Sequence, residues 1–362
     1  MIKDYQVEMI NVEDGDSFVV YYTTDDGAKH LVLIDAGRHR TGERVLSHLN
    51  RAHKGEKIEL AIVTHPDEDH YGGFVYLLEQ IRDKKRDAFP IERFWLNDPR
   101  KHISLDDIEE EIQKKTLEER LKEIYAADDT DLISLLEECK IPYREVFTEA
   151  VRVGVELDEY GKNRFKWHVI PSDQEGFTIL GPTKDYYEKQ CFDFKYNGVT
   201  PIPEKSEDDT IEKNPDFEDT EEYYSKTLDE AGDDTSCTNK SSIVVLFRPR
   251  KDKKYLFTGD ASRDSFENMP DPQKEICKDV YWLKVPHHGS ERNLNSALIK
   301  HFNPKIAYIS TERIGRYADT CIINALKKKG CKVMSTHKNK DLNSIFHNHF
   351  YPKLELKHAK WC

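Results

Sequence analysis

No window of the 362-residue sequence approaches a run of about 18 apolar residues, and the start, Met1-Ile2-Lys3-Asp4-Tyr5, has no basic segment leading into an apolar stretch. A membrane-spanning helix and a secretory leader are therefore unexpected, which predicts a cytoplasmic protein that does not act at a membrane. The seven cysteines are far apart, odd in number and without a C-x-x-C pair, so neither a disulfide framework nor a Cys-rich zinc module is expected. A basic excess is also lacking. Lys and Arg total 55 against 68 Asp and Glu, a formal charge of -13, which argues against a protein that simply coats nucleic acid or anionic lipid.

That charge is unevenly spread. Between Glu204 and Asp234 there are 14 acids and 3 bases, which leaves 52 bases and 54 acids for a nearly neutral remainder. The surrounding stretch, 190–238, is poor in aliphatics and rich in Asp, Glu, Thr and Ser, and reads as a mobile acidic insertion able to dock on a basic protein partner.

The rest of the chain alternates strand and helix signals. Tyr5, Val7 and Met9 alternate, and apolar runs at 18–22 and 31–34 follow, with turns at Gly15-Asp16 and Asp25-Asp26-Gly27: a meander. A helix over about 42–52, with Val45, Leu46 and Leu49 on one face, leads to a short apolar strand at 60–63. From Ser104 a capping box and the helical spacing of Ile108, Ile112, Leu117, Leu121 and Ile124 open a helical insertion over 103–140, its second helix running from about 130 to 139. Such helices either pad a fold or form a lid or partner surface. Strand character returns at 167–170, 177–180, 243–247, 254–257, 280–285 and 306–310, with a helix over 320–329. No repeat is present, and the pattern is that of one α/β sandwich domain over 1–362.

Chemistry concentrates in Thr64-His65-Pro66-Asp67-Glu68-Asp69-His70-Tyr71-Gly72-Gly73, directly after the strand ending at Val63. A loop there can splay its side chains so that His65 and Asp67 take one metal while Asp69 and His70 take a second, about 3.5 to 4 Å away. Imidazole with carboxylate suits Zn, Mn or Fe, the carboxylates favouring harder ions. The glycines are expected to let the backbone turn tightly and start a helix. Two more strands end in such groups: Leu256-Phe257-Thr258-Gly259-Asp260 in a carboxylate placed to bridge two metals, and Lys284-Val285-Pro286-His287-His288-Gly289-Ser290 in two imidazoles. Ligands collect at the C-terminal ends of strands in α/β folds, so the three segments belong together. His347 and His349 read as a strand-edge surface pair, and Lys338 and Lys340 as solvated charges.

HPDEDHYGG, LFTGDA and LKVPHHGS together resemble the metallo-β-lactamase superfamily, in the branch similar to the metallohydrolase domain of the bacterial competence DNA-uptake channel protein. Asp14-Gly15-Asp16-Ser17 with Leu33-Ile34-Asp35-Ala36-Gly37, and the strand from Asn239 to Leu246, resemble further marks of that family. The resemblance implies a four-layer αββα sandwich, carrying the helical and acidic insertions, with a metal site along one edge. It implies that His65 and Asp67 hold a first metal, Asp69 and His70 a second, that Asp260 bridges them, and that His287 or His288 completes the second site. Many members carry a histidine where this chain has Thr238, so the first position lacks one imidazole or recruits a ligand near Asn239. Asp35 is expected to orient a ligand.

The function expected is a hydrolase using two Zn or Mn ions, a phosphodiesterase or nuclease. Asp69 would orient the metal-activated hydroxide, and one of His287 and His288 would donate a proton to the leaving group if the other ligates. Lys284, Arg292, Arg313, Arg316, Lys338 and Lys340 are candidates for a local basic patch that would meet nucleic acid. Two alternatives stand beside this reading: a small-molecule phosphoester or cyclic-nucleotide hydrolase, and a regulatory or structural subunit with a degenerate metal site.

Overall fold

Strands β1 (Ile2–Met9), β2 (Ser17–Thr24) and β3 (Lys29–Ala36) pair antiparallel in that order. Phe18, Val20, Tyr22, Val32 and Ile34 turn to one face and Val19, Leu31 and Leu33 to the other, and both sets are fully buried. Successive side chains of a strand point to opposite sides, so a sheet covered on both faces needs continuous apolar runs. Helix α1 (Gly42–Ala52) carries the chain back to the parallel strand β4 (Leu60–Ile62), and α2 (Glu68–Arg82) leads on to β5 (Phe94–Trp95). The segment that follows holds α3 (Glu111–Glu123), the hairpin β6 (Ala126–Ala127) and β7 (Thr130–Asp131), and α4 (Leu132–Cys139), before β8 (Tyr143–Arg144) closes the six-stranded first sheet. The computed structural model describes residues 1–103, 111–157, 163–169, 172–197, 228–311, 318–336 and 354–355.

A hairpin of β9 (Ala150–Leu157) and β10 (Asn163–Val169) leads into the second sheet. That sheet is built from β11 (Phe177–Gly181), β12 (Val244–Arg250), β13 (Lys253–Phe257), β14 (Trp282–Lys284), β15 (Ile306–Ile309), β16 (Lys332–Ser335) and β17 (Leu354–Glu355), in that spatial order. From β13 to β16 the strands are parallel, so their C-terminal ends share one edge. The faces of the two sheets meet in an aromatic core in which Phe18 packs edge-on against Phe257 and Trp282, at 5.3 and 5.7 Å between ring centroids. Outside it, α1, α2 and α4 cover the first sheet, and the helices Ser296–Phe302 and Thr320–Lys328 cover the second. The layers run helix, sheet, sheet, helix, the αββα sandwich. Among the described residues no helix is long and apolar enough to cross a membrane, and Cys139, Cys191, Cys237, Cys277, Cys321 and Cys331 form no disulfide.

The second helix of the 103–140 segment starts at Leu132 rather than 130, because Asp131 caps it by accepting from the Ser134 backbone N–H at 2.8 Å. Its Leu132, Ile133, Leu135 and Leu136 join the core beneath α2. The capping box at 104–107 lies outside the described residues, as do 198–227 of the acidic insertion, Arg313, Arg316, Lys338, Lys340, His347 and His349. Both flanks of that acidic stretch are regular, packed structure. Helix α5 (Lys184–Asn197) occupies one, and on the other Leu228 is fully buried. Arg263 is the reason for the second: its guanidinium donates to the carbonyls of Leu228, Ala231, Glu291 and Leu294 at 2.6 to 3.1 Å, fastening an acidic segment by its backbone.

Gly72 and Gly73 lie inside α2 and do not form a turn. A Cβ on Gly73 would sit 2.0 Å from the Ala36 carbonyl oxygen, and one on Gly72 2.5 Å from the His39 amide nitrogen, so these glycines let the helix backbone press directly on the end of β3. Gly15 does the same for the β1–β2 turn, where a Cβ would fall 2.5 Å from the Asp69 carbonyl. Gly73→Ala in an exposed helix would gain about 1 kcal/mol of propensity. Here the obstacle is backbone, which cannot swing away, and overpacking of about 3 kcal/mol or more should win. The expected result is a fall of Tm by on the order of 5 °C or more in a thermal melt; a rise would mean that α2 does not approach β3 this closely.

Candidate metal centre

The three motif segments converge where the C-terminal ends of strands from both sheets meet. β12 begins against the end of β4 through an Ile243 N–H to Thr64 carbonyl bond of 2.8 Å. Gly259, at φ +51°, brings the following carboxylate in close, since a Cβ there would lie 2.9 Å from Thr64 Cβ. Asp67 precedes α2 as its N-cap, Asp69 and His70 occupy the first turn, and His287 and His288 form a tight 3-10 turn after β14. Asp35, His287 and His288 all adopt the left-handed region, at φ 54°, 47° and 52°. For non-glycine residues that conformation costs energy and persists where a site needs it.

Asp260 is the hub, and four imidazoles turn Nε2 toward it. His70 Nε2 stands 3.4 Å from Oδ1, while Oδ2 faces His65, His287 and His288 at 3.9, 3.9 and 3.8 Å. Each ring's tautomer follows from what meets its Nδ1. His70 Nδ1 is 2.9 Å from the Asp35 carboxylate and His288 Nδ1 is 3.1 Å from the Ser310 carbonyl, acceptors that require an N–H. Thr64 donates its one hydroxyl proton to Asp35 at 2.8 Å, so at 3.1 Å it accepts from His65 Nδ1. His287 Nδ1 is 3.1 Å from the Asp234 carboxylate. Each ring thus has an acceptor for an Nδ1 proton and turns Nε2 inward, where the neutral ring carries its lone pair; His288 Nε2 also lies 3.2 Å from Asp69 Oδ2.

Such convergence of electron-rich atoms fits a cation. The buried Nε2 atoms of His65 and His70 make no hydrogen bond. Separations of 3.4 to 3.9 Å exceed hydrogen-bond range, yet suit two donors about 2.1 Å from a shared ion, whose mutual distance is about 3.4 Å in a tetrahedron and at most about 4.2 Å. Donor atoms of His65, His70 and Asp260 lie within 4.8 Å of one another, as do those of Asp69, His70 and His288. His288 thus belongs with Asp69, whose Oδ2 is 3.2 Å from its Nε2. Asp67 sits on the rim, 38% exposed, with Oδ2 3.6 Å from His65 Nε2. Because both histidines of the pair turn Nε2 inward, the expected split into one ligand and one proton donor finds no support in the geometry. A third group, Glu8 with His48 and His53, is buried beneath α1, but there Nε2 atoms stand 2.6 and 3.2 Å from the carboxylate as hydrogen-bond donors.

Several contributors are not evident from sequence. Lys284, expected on a surface patch, is fully buried: its ammonium lies 2.5 Å from Asp16 and 3.1 Å from Asp260 and donates to the Gly259 carbonyl at 2.7 Å. Burial opposes its charge, but Asp16 and Asp260 outweigh that and raise its pKa. Asp16, fully buried, also accepts from the Ser310 hydroxyl. Asp35 accepts from the Thr64 amide at 2.8 Å and meets His70 Nδ1 at 2.9 Å. Arg38 reaches Glu68 at 2.7 Å and Asp69 at 3.7 Å, a cation at the mouth, and Arg292 is exposed. Ser290 accepts from the Arg292 amide at 3.3 Å, a turn contact. The signals available for these groups were the GDS and LKVPHHGS motifs themselves.

Residues 11–181 match the sequence model of the metallo-beta-lactamase superfamily. That stretch, just under half of the chain, is similar to the superfamily. Members are generally metal-dependent hydrolases, and the fold implies use of divalent metal. ComE operon protein 3 of Bacillus subtilis (strain 168) is 28% identical over 121 residues, a stretch covering 33% of this chain and 15% of that protein. This similarity accords with the branch read from the motifs.

Protons and metal compete at this domain's centre. Burial would lower the pKa of His70, but Asp260 and Asp35 outweigh it and hold it well above the usual value; likewise Asp260 and Asp234 overcome burial at His287 and raise it to about 9. Protons held this tightly must leave before a cation binds. Apparent affinity for Mn2+ or Zn2+ should therefore climb from about pH 6 toward 9, with proton release measurable by calorimetry in buffers of different ionisation enthalpy. A flat profile without proton release would show that these imidazoles do not ligate.

Proposed function

We propose that the protein is a hydrolase of phosphodiester bonds that uses two Zn or Mn ions and takes nucleic acid as its substrate class. The observation that carries the reading is the set of four imidazole Nε2 atoms turned on Asp260. His65, Asp67, Asp69, His70, His287 and His288 are the ligands proposed around the Asp260 bridge. The carboxylate share of that set favours harder ions than an all-imidazole site would. When bound, the ions lower the pKa of a water toward neutrality and neutralise charge on a phosphoryl oxygen.

The chain's own residues then do the rest. Asp69, at the first turn of α2, holds the attacking water by accepting its hydrogen bond. Arg38, 3.7 Å from Asp69, offers a guanidinium to a non-bridging phosphate oxygen. The nearly neutral body does not bar a polyanion, since a site of this kind needs only local cations at its mouth. The resemblance to the competence DNA-uptake branch favours nucleic acid over a small phosphoester. Six cysteines without disulfides accord with a cytoplasmic setting.

The test is the full chain with Mn2+ or Zn2+ on single-stranded DNA, duplex DNA, RNA, cyclic nucleotides and bis(p-nitrophenyl) phosphate. Cleavage of nucleic acid is expected, and Asp69→Ala and His70→Ala should each reduce it by at least about 100-fold while leaving the far-ultraviolet circular dichroism unchanged. Wild-type turnover in both variants, or no cleavage of any phosphodiester by a metal-loaded protein, overturns the reading.

A further inference from the structure

Thr238 stands where a histidine of the first metal position is common in the family, and the short helix Cys237–Lys240 that bears it offers no imidazole. Beside this deficit lies His287, whose Nδ1 is 3.4 Å from the amide nitrogen of Asn239 and whose role the two mutual clusters of donors leave unassigned. Its ring is held more elaborately than a surface histidine needs. Nδ1 meets Asp234 Oδ2 at 3.1 Å and Asn293 Oδ1 at 3.2 Å. Asp234 is itself fully buried and accepts from Asn239 Nδ2 at 2.7 Å, Asn293 Nδ2 at 3.0 Å and the Ser236 amide at 2.9 Å. Asn293 Nδ2 also donates to the carbonyls of Asp260 and Ala261, which turns its oxygen to the ring, and with two acceptors before it, Asp234 Oδ2 and Asn293 Oδ1, Nδ1 of His287 is the donor.

The consequence is directional. In the neutral ring, with Nδ1 carrying the proton, the lone pair sits on Nε2, which faces Asp260 Oδ2 at 3.9 Å, the same oxygen that His65 Nε2 faces at 3.9 Å. Metal-ligating histidines characteristically donate their other ring N–H to a carboxylate, which sets tautomer and orientation. We propose that His287 supplies the imidazole of the first metal position that Thr238 does not, and that Asp234 is its positioning carboxylate. This rests on the two-metal reading above. It also gives the packed end of the acidic stretch a purpose: Arg263 ties the backbone of Leu228 and Ala231, and six residues beyond Leu228 the chain delivers Asp234 beneath the ring.

Calorimetric titration of the metal-stripped full chain with Mn2+ alone, with electron paramagnetic resonance to detect a coupled Mn pair, tests this without any substrate. The wild type should bind two ions with the coupled signal. His287→Ala should bind one and lose that signal, and the near-isosteric Asp234→Asn should keep both, one of them held about 10 to 100-fold more weakly. Melting temperatures of the metal-free proteins check that the variants fold. Two ions of wild-type affinity in His287→Ala, or unchanged affinities in Asp234→Asn, overturn the assignment while leaving the two-metal reading intact. No binding by the wild type overturns both.

Discussion

A single buried carboxylate organises this molecule. Asp260 is reached only because Gly259 turns the chain tightly against Thr64, and its amide is held by the Ser242 hydroxyl at 3.1 Å, so strands of both sheets must end together for it to exist in this position. Burying an ionised carboxylate is costly unless cations surround it. Lys284 supplies one such charge from inside the same sheet, and the pKa of Asp260 is held well below the usual value despite burial, chiefly by that ammonium and by His70. Lys284 also meets Asp16, just before β2, so an ion pair crosses the seam between the two sheets in front of the aromatic packing.

The charges near Asp260 do not balance within the chain. Asp16, Asp35, Asp67, Glu68, Asp69, Asp234 and Asp260 crowd around two fixed cations, Lys284 and Arg38, an excess of five negative charges. Protonated imidazoles can offset some of it, which is the physical reason His70 and His287 hold protons tightly. Divalent cations would offset it in their place and free the imidazoles as neutral ligands.

What the sequence made legible followed from periodicity and spacing. Strands buried on both faces announce themselves as apolar runs, so β2, β3, β12, β13 and β15 were readable, and the three motifs each follow a strand end. Asp234 was hidden because composition averages over a window: one buried acid closing a run of solvated ones looks like the rest. Lys284 was misread for a related reason, since a lysine beside histidines reads as a surface cation until its two buried carboxylate partners, 268 and 24 residues away, are in view. The glycines of α2 looked like turn formers because sequence shows their missing side chains but not the β3 backbone that fills the space.

The Glu8, His48 and His53 group shows why residue type alone does not define a metal site. It has the same ingredients, a carboxylate and two imidazoles, and it is just as buried. There, however, Nε2 of His48 approaches the carboxylate to 2.6 Å, a distance that only an intervening proton allows, and the pKa of Glu8 falls, against the effect of burial, because both histidines donate to it. The proton is on the inward nitrogen, and the cluster is closed by its own hydrogen bonds into a tie between β1 and α1. Around Asp260 each outward Nδ1 is engaged by Asp35, Thr64, Ser310 or Asp234, and the inward Nε2 atoms stand 3.4 to 3.9 Å from the Asp260 carboxylate, too far to close on it as His48 closes on Glu8. The difference between a structural tie and a centre open to a cation is thus set by the second partner of each ring, and those partners lie scattered from residue 35 to residue 310.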